Sequence, residues 1–332
     1  MGVILSVSAQ EVSFSLVWEN QSAKSLQLAG DFPNLKIKVT GASNFMAGKC
    51  TVFNGQTTFL PYIPFTNGLT YQAYAQDRLL CSFTPSTGDQ SVPTITAVYP
   101  KGRVLPENFL KFYIRFSEPM EVGKFYDYLH LYNQEGEEVD RAFIRLSPEL
   151  WNETRTLLTL WIEPGRIKRD LGPNRQLGQV LEKGKTYRLI IDGGFRSKQG
   201  ISLEENYEKI FEVGERDEQK PTVDRWEISP PTRNKQESLK IHFGEAMDYA
   251  MTQMLEISDG KELVKGDWVM ESDEVINFTP EKPWKKGSYQ LAVNANAEDL
   301  AGNNFLRLFD VDLLKTEVES VKESWSVKFE VR

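Results

Sequence analysis

The sequence predicts an all-β chain of three sandwich domains in a row, and three observations lead there. A phrase of Phe59, Pro61, Pro64, Phe65, Gly68 and Tyr71 returns as Phe278, Pro280, Pro283, Trp284, Gly287 and Tyr289. An interrupted copy lies between them, with Ile162 and Pro164 followed, after an insertion, by Gly184 and Tyr187. A phrase recurring about once per hundred residues marks a domain array. Secondly, most segments between the phrases alternate apolar and polar residues, as half-buried strands require. Thirdly, helical periodicity is scarce; only 125–128 and 250–254 read as single helical turns.

The elements follow in order. Val12, Phe14, Leu16 and Trp18 alternate, as do Leu26 and Leu28. Phe112, Ile114 and Phe116 share one face of a strand whose other face carries Tyr113 and Arg115. The same strand recurs 127 residues later, with Phe243 over Phe116 and Leu239 and Ile241 before it. Residues 157–162 form a denser apolar run, the reading of a central strand. Tyr187, Leu189 and Ile191 match Tyr289, Leu291 and Val293 after a lysine-glycine turn. Val327, Phe329 and Val331 predict a terminal strand added to a sheet edge.

Polar, turn-rich stretches at 86–91 and 214–220 divide the chain. The domains are therefore 11–91, 92–216 with an insertion at 165–180, and 217–312, followed by an extension at 313–332. Both connecting stretches are short, so neighbouring domains are expected to be semi-rigidly coupled. Residues 1–10 read either as a first strand or as a truncated secretory signal ending in Val7, Ala9 and Gln10. Both readings stand.

The residues 116–120 (Phe-Ser-Glu-Pro-Met), the 278–291 phrase and Glu298-Asp299-Leu300-Ala301-Gly302-Asn303 together resemble the bacterial Ig-like domains of surface-layer proteins. The resemblance runs nearly throughout the third domain, holds at both ends of the second, and reaches only the phrase in the first. It implies tandem seven-strand Ig-like sandwiches that act as spacer, stalk or adhesive module in the cell envelope, periplasmic, surface-bound or secreted. It implies no shared catalytic residues.

At 332 residues, the chain suits two or three cores rather than one. The net charge of −8 argues against nucleic acid or an anionic membrane as the main partner. No run of apolar residues is long enough to span a bilayer. Nucleophile elbows, zinc-binding histidine pairs, phosphate loops and dinucleotide fingerprints are all missing from the sequence. The chain therefore reads as a non-enzymatic structural or binding protein with a protein or envelope glycan as partner. The alternative is a carbohydrate-binding accessory of an envelope enzyme. A third reading, an enzyme at the junction of the second and third domains, requires converging carboxylates in a deep cleft.

The candidate residues are few. The insertion is glycine-rich and basic, and Arg166, Lys168, Arg169 and Arg175 have the chemistry to hold a carboxylate, phosphate or anionic sugar. They serve equally well to pair with Glu149, Glu153, Glu163 or acids of the third domain, and a long loop of this kind also fits disorder. Asp299 and Asn303, with Glu298 and Asn304, offer oxygens to calcium, but suit a tight turn around Gly302 as well. Glu118 and Glu245 occupy matching positions and read as turn residues that accept backbone N–H bonds. Cys50 and Cys81 allow a disulfide worth about 3 kcal/mol or two buried thiols. Trp161 and Trp284 are expected in cores, whereas Trp151, Trp226 and Trp268 are expected to be partly exposed.

Overall fold

The structure, a computed structural model, describes residues 12–19, 22–85, 92–167, 172–310 and 323–332. The strand-or-signal question at 1–10 lies outside these residues. In the first sandwich the strands are β1 (Phe14–Glu19), β2 (Ser22–Ala29), β3 (Lys36–Val39), β4 (Gly48–Phe53), β5 (Gln56–Pro61), β6 (Tyr71–Ala75) and β7 (Arg78–Phe83). They form the sheets β1-β2-β5-β4 and β3-β6-β7. Leu26, Leu28 and Phe59 face Ile37, Tyr71 and Phe83 across the core, all buried. Alternation decides which side chains turn inward; in β5 Thr57, Phe59 and Pro61 are buried while Gln56 and Leu60 are exposed.

The second sandwich has β8 (Ile95–Tyr99), β9 (Val104–Leu105), β10 (Lys111–Phe116), β11 (Leu129–Tyr132), β12 (Leu157–Trp161), β13 (Thr186–Ile191) and β14 (Tyr207–Val213). Its sheets run β12-β10-β8 and β11-β13-β14-β9, with β9 parallel to β14. The insertion is not irregular throughout; it carries two short helices, α1 (Pro164–Ile167) and α2 (Gly172–Leu177). The third sandwich has β15 (Glu227–Ser229), β16 (Leu239–His242), β17 (Leu255–Ser258), β18 (Gly266–Ser272), β19 (Val275–Pro280), β20 (Gly287–Asn294) and β21 (Ser324–Val331). Its sheets, β15-β16-β19-β18 and β17-β20-β21, are the seven-strand arrangement of an Ig constant-type domain, and the first sandwich repeats it. β21 pairs with β20 from Gly287↔Val331 to Asn294↔Ser324. It is thus the closing strand of the third sheet pair rather than an addition to a finished domain.

The recurring phrase has a physical cause. In each sandwich its tyrosine hydroxyl accepts a backbone N–H from the turn before it: Thr66 to Tyr71 at 2.8 Å, Glu182 to Tyr187 at 3.1 Å and Lys285 to Tyr289 at 3.2 Å. The phrase's aromatic packs edge-on against that tyrosine, Phe65 on Tyr71 at 5.0 Å and Trp284 on Tyr289 at 5.2 Å. The glycine supplies the positive φ of the turn at Gly68 (77°) and Gly184 (79°). The phrase is a sandwich corner, closed by one hydroxyl and one buried ring.

By contacts the chain divides into two compact units. The first sandwich forms one with Glu118–Val122 and Gly194–Glu204; the rest of the second sandwich forms the other with the third.

Candidate functional site

Within the larger unit, the second and third sandwiches share one core. Tyr99 and Tyr113 belong to the buried cluster of the third sandwich, and Tyr99 stacks on Tyr249 at 4.2 Å. β10 is therefore buried on both faces except at Arg115, because the face that carries Tyr113 meets the third sandwich instead of water. Arg115 itself bonds the Tyr249 hydroxyl. Coupling here is tighter than the expected semi-rigid link.

Polar ties reinforce this junction. The Asp273 carboxylate accepts the backbone N–H groups of Lys101 (2.7 Å) and Gly102 (2.6 Å). Asn108 and Asp217 exchange two bonds, at 2.8 and 2.9 Å. Lys111 lies buried between Asp248 (3.1 Å) and Glu298 (2.6 Å), and Tyr113 donates to Asp248 at 2.6 Å. Burial alone would push the Lys111 ammonium down, but the two carboxylates outweigh it and hold its pKa above the usual lysine value. At Gly302 (φ 78°) an added Cβ would lie 2.1 Å from Leu110 Cδ1, so only glycine permits both this turn and the approach of the second sandwich.

Beside these ties three carboxylates converge. Oxygens of Asp217, Glu245 and Asp299 lie within 4.8 Å of one another. They come from the connecting stretch, the segment after β16 and the turn after β20. Asp299 is fully buried. Its Oδ1 accepts the Ala301 and Asn303 N–H groups, and its Oδ2 accepts Asn303 Nδ2 at 2.9 Å. Burial, followed by the Asp217 charge, raises its pKa to about 8. Burial likewise raises Glu245, which accepts a bond from the Thr222 backbone and whose Oε1 has no hydrogen-bond partner.

The expected calcium ligand Asp299 is thus joined by Asp217 and Glu245. Asn303 turns its Oδ1 to the Phe309 N–H and its Nδ2 to Asp299 and the Asp217 carbonyl. Neither partner of Asp299 was readable as such, since 217, 245 and 299 lie far apart in sequence. The only signal was Glu245, whose matching position suggested a turn role. Next to this trio lies a cavity of about 280 Å³, lined among others by Asp217, Ala246 and Leu300. Three carboxylates with a displaced pKa also suit acid–base chemistry. Here, however, the group with the largest shift is sealed, with both its oxygens bonded inside its own turn.

The basic insertion resolves differently from its sequence reading. Arg166 is only 5% exposed, and its guanidinium donates to the carbonyls of Asp140, Arg141, Leu177, Gly178 and Gln179. It pins the inserted helices to the second sandwich, and the charges of Asp140 and Glu163 lie close enough to favour its cation. Arg175 is exposed on α2, and Lys168 and Arg169 lie outside the described residues. Cys50 and Cys81 form no disulfide; both are free thiols, and Cys50 Sγ approaches the Phe32 carbonyl at 3.5 Å. Trp226, expected at the surface, is buried against Phe243 at 5.0 Å. Trp161, expected in the core, is half-buried beneath the Lys111 ammonium. Trp284 fills the core as expected.

The first sandwich has a different surface. Residues 1–94 carry five acidic and five basic side chains of the chain's 47 and 39, so the net −8 lies wholly in the remainder. The most exposed large apolar side chains among the described residues, Phe53 (76%), Tyr62 (75%) and Ile63 (76%), all belong to it. On its β3–β6 face, Lys36 and Lys38 stand over Phe45 at 5.4 and 5.7 Å.

No known family's sequence profile matches the chain, and no curated protein does. Solved structures resemble it only weakly. Native alpha-2-macroglobulin from Escherichia coli (domains MG0-NIE-MG1) is 13% identical, over 61% of this chain and 66% of that one, with a TM-score of 0.25. A titin crystal structure is 14% identical, over 87% and 91%, at 0.23. The Escherichia coli adhesin FdeC is 10% identical, over 92% and 96%, at 0.21. Scores this low carry no argument, and the Ig-like assignment stands on the strand pairing above. No helix among the described residues is long and apolar enough to cross a membrane.

Proposed function

We propose that the chain is a non-catalytic, exported structural and binding protein of the surface-layer-like Ig class. Its second and third sandwiches act as one stiff arm, and its first sandwich presents the contact surface. The shared core across the junction carries this reading, because a module that only spaces or presents needs stiffness at its joints and no open cleft. The carbohydrate-binding alternative draws less support, since Arg166 is enclosed and no tryptophan is exposed among the described residues.

Calcium belongs to this reading as a junction ligand. Asp217, Glu245 and Asp299 supply three carboxylates, one with an unpartnered oxygen, and calcium favours such oxygen-rich sites. Calcium is expected to raise the melting temperature of the wild-type chain and to leave Asp299→Asn unmoved.

Two measurements test the whole. In calorimetry, the second and third sandwiches should melt in a single transition; separate transitions for the two would remove the stiff arm. In cell fractionation, the chain should appear in the periplasmic, surface or secreted fraction, and its retention in the cytoplasmic fraction would refute export.

A further inference from the structure

We infer that the open edge of β4 is where a second copy of this chain docks, by antiparallel strand addition. The inference rests on the binding-module reading above and names the partner.

An edge strand turns every second backbone N–H and C=O away from its neighbour, and proteins protect such edges with charges or cover them. Several of the other outer strands follow that rule, although β1, β7 and β8 carry at most one charge each. β18 carries Asp267 and Glu271, with Glu271 paired to Lys240 at 3.0 Å, and β21 carries Lys328 and Glu330. The uncharged β12 is covered by bridges from Phe143 to Ile162 and Trp151 to Leu158, and β11 by one from Tyr132 to Glu138. β4 has neither protection. Among the described residues, its strand partner is β5 alone, and no further backbone bond reaches Lys49–Phe53. Lys49 is its one charge, and Val52 and Phe53 are exposed.

The strand is also complementary to itself. Residues opposite one another in an antiparallel pair share a face. On β4 the outward set is Lys49, Thr51 and Phe53, lying against Leu60, Thr58 and Gln56 of β5. Only registers that set outward residues against outward residues continue the sheet. A two-fold axis through Thr51 does so and places each Lys49 against Phe53 of the other copy. Ammonium over an aromatic ring is a contact this sandwich already makes, at Lys36 and Lys38 over Phe45 and at Lys38 over Tyr74 (5.3 Å). An axis through Cys50 sets Lys49 against Thr51 and leaves Phe53 beyond the strand. An axis through Val52 leaves Lys49 opposite the Gly55 turn. The Thr51 axis alone uses both end residues. The low charge of residues 1–94 leaves little repulsion between two such surfaces.

Sedimentation velocity on the full chain over a concentration series tests this, with two substitutions at the exposed Phe53. Wild type should show a reversible monomer–dimer equilibrium. Phe53→Glu sets a carboxylate against Lys49 and should retain or tighten the dimer. Phe53→Lys sets like charges together twice, and its dissociation constant should be at least about tenfold weaker than that of Phe53→Glu. Thr51→Cys should give a covalent dimer under mild oxidation, where wild type gives none. A chain that stays monomeric throughout overturns the proposal. Equal loss in both Phe53 variants also overturns it, because that outcome reports unspecific apolar contact. A monomeric chain that is still found outside the cytoplasm would leave the functional reading standing. A dimeric chain retained in the cytoplasm would do the reverse.

Discussion

Changing pH should weaken the chain through one residue, Asp299. A buried carboxyl with its pKa raised to about 8 holds a proton in the folded state that the unfolded chain, near 3.8, releases. Between those values the native state binds one proton more, so stability is present in full below about pH 4 and falls as pH rises towards 8. The slope is about 1.4 kcal/mol per pH unit, or roughly 4 kcal/mol between pH 4 and 7. That figure is an upper bound, because Asp217 and Glu245 share in the titration of the cluster. Urea midpoints of wild type and Asp299→Asn, measured without divalent ions from pH 5 to 8, isolate the effect. The asparagine keeps an acceptor for the Ala301 and Asn303 amides but has no proton to lose. It disturbs the contact with Asn303 Nδ2, so the relevant comparison is between slopes and not levels. Wild type should lose stability relative to the variant by about 1 kcal/mol per unit over this range. Parallel curves would refute the reasoning and show that the three N–H bonds to Asp299 outweigh its burial.

Other substitutions read the junction and the insertion. Lys111→Met leaves Asp248 buried without its cation and should cost about 3–5 kcal/mol in chemical denaturation; adding Asp248→Asn should recover part of that loss. Gly302→Ala forces a side chain into positive φ and onto Leu110, so the shared calorimetric transition of the second and third sandwiches should shift downward or split. Arg166→Ala removes five carbonyl contacts, and limited proteolysis should then cut within 165–180 at protease levels that spare wild type. A reductant should leave the melting temperature unchanged, because Cys50 and Cys81 are free thiols.

Much of the fold was legible because it is written locally. Period-two alternation marks which of Leu239, Lys240 and Ile241 turns inward whatever else the chain does, and the phrase around Tyr71 and Tyr289 encodes a corner that closes within five residues. The site was legible only where a residue acts within its own turn. Asp299 could be singled out, since its bonds to Ala301 and Asn303 span two to four positions. Its meeting with Asp217 and Glu245 depends on the packing of one sandwich against the next, which no local pattern records. The same blindness explains Tyr113, which reads as a solvent-facing residue by alternation and is buried by a neighbouring domain. Arg166 shows the converse error. Its sequence neighbourhood is basic and glycine-rich, and so resembles an anion site, but guanidinium donors also satisfy clustered carbonyls, and composition cannot separate the two.

The distribution of charge links these local readings to function. An acidic surface confined to residues beyond 94 keeps the stiff pair of sandwiches soluble and discourages contact between copies along its length. A neutral, apolar-edged first sandwich has no such protection, and its exposed Phe53, Tyr62 and Ile63 cost solubility without adding to its core. The second copy proposed to dock at β4 would account for the exposure of Phe53.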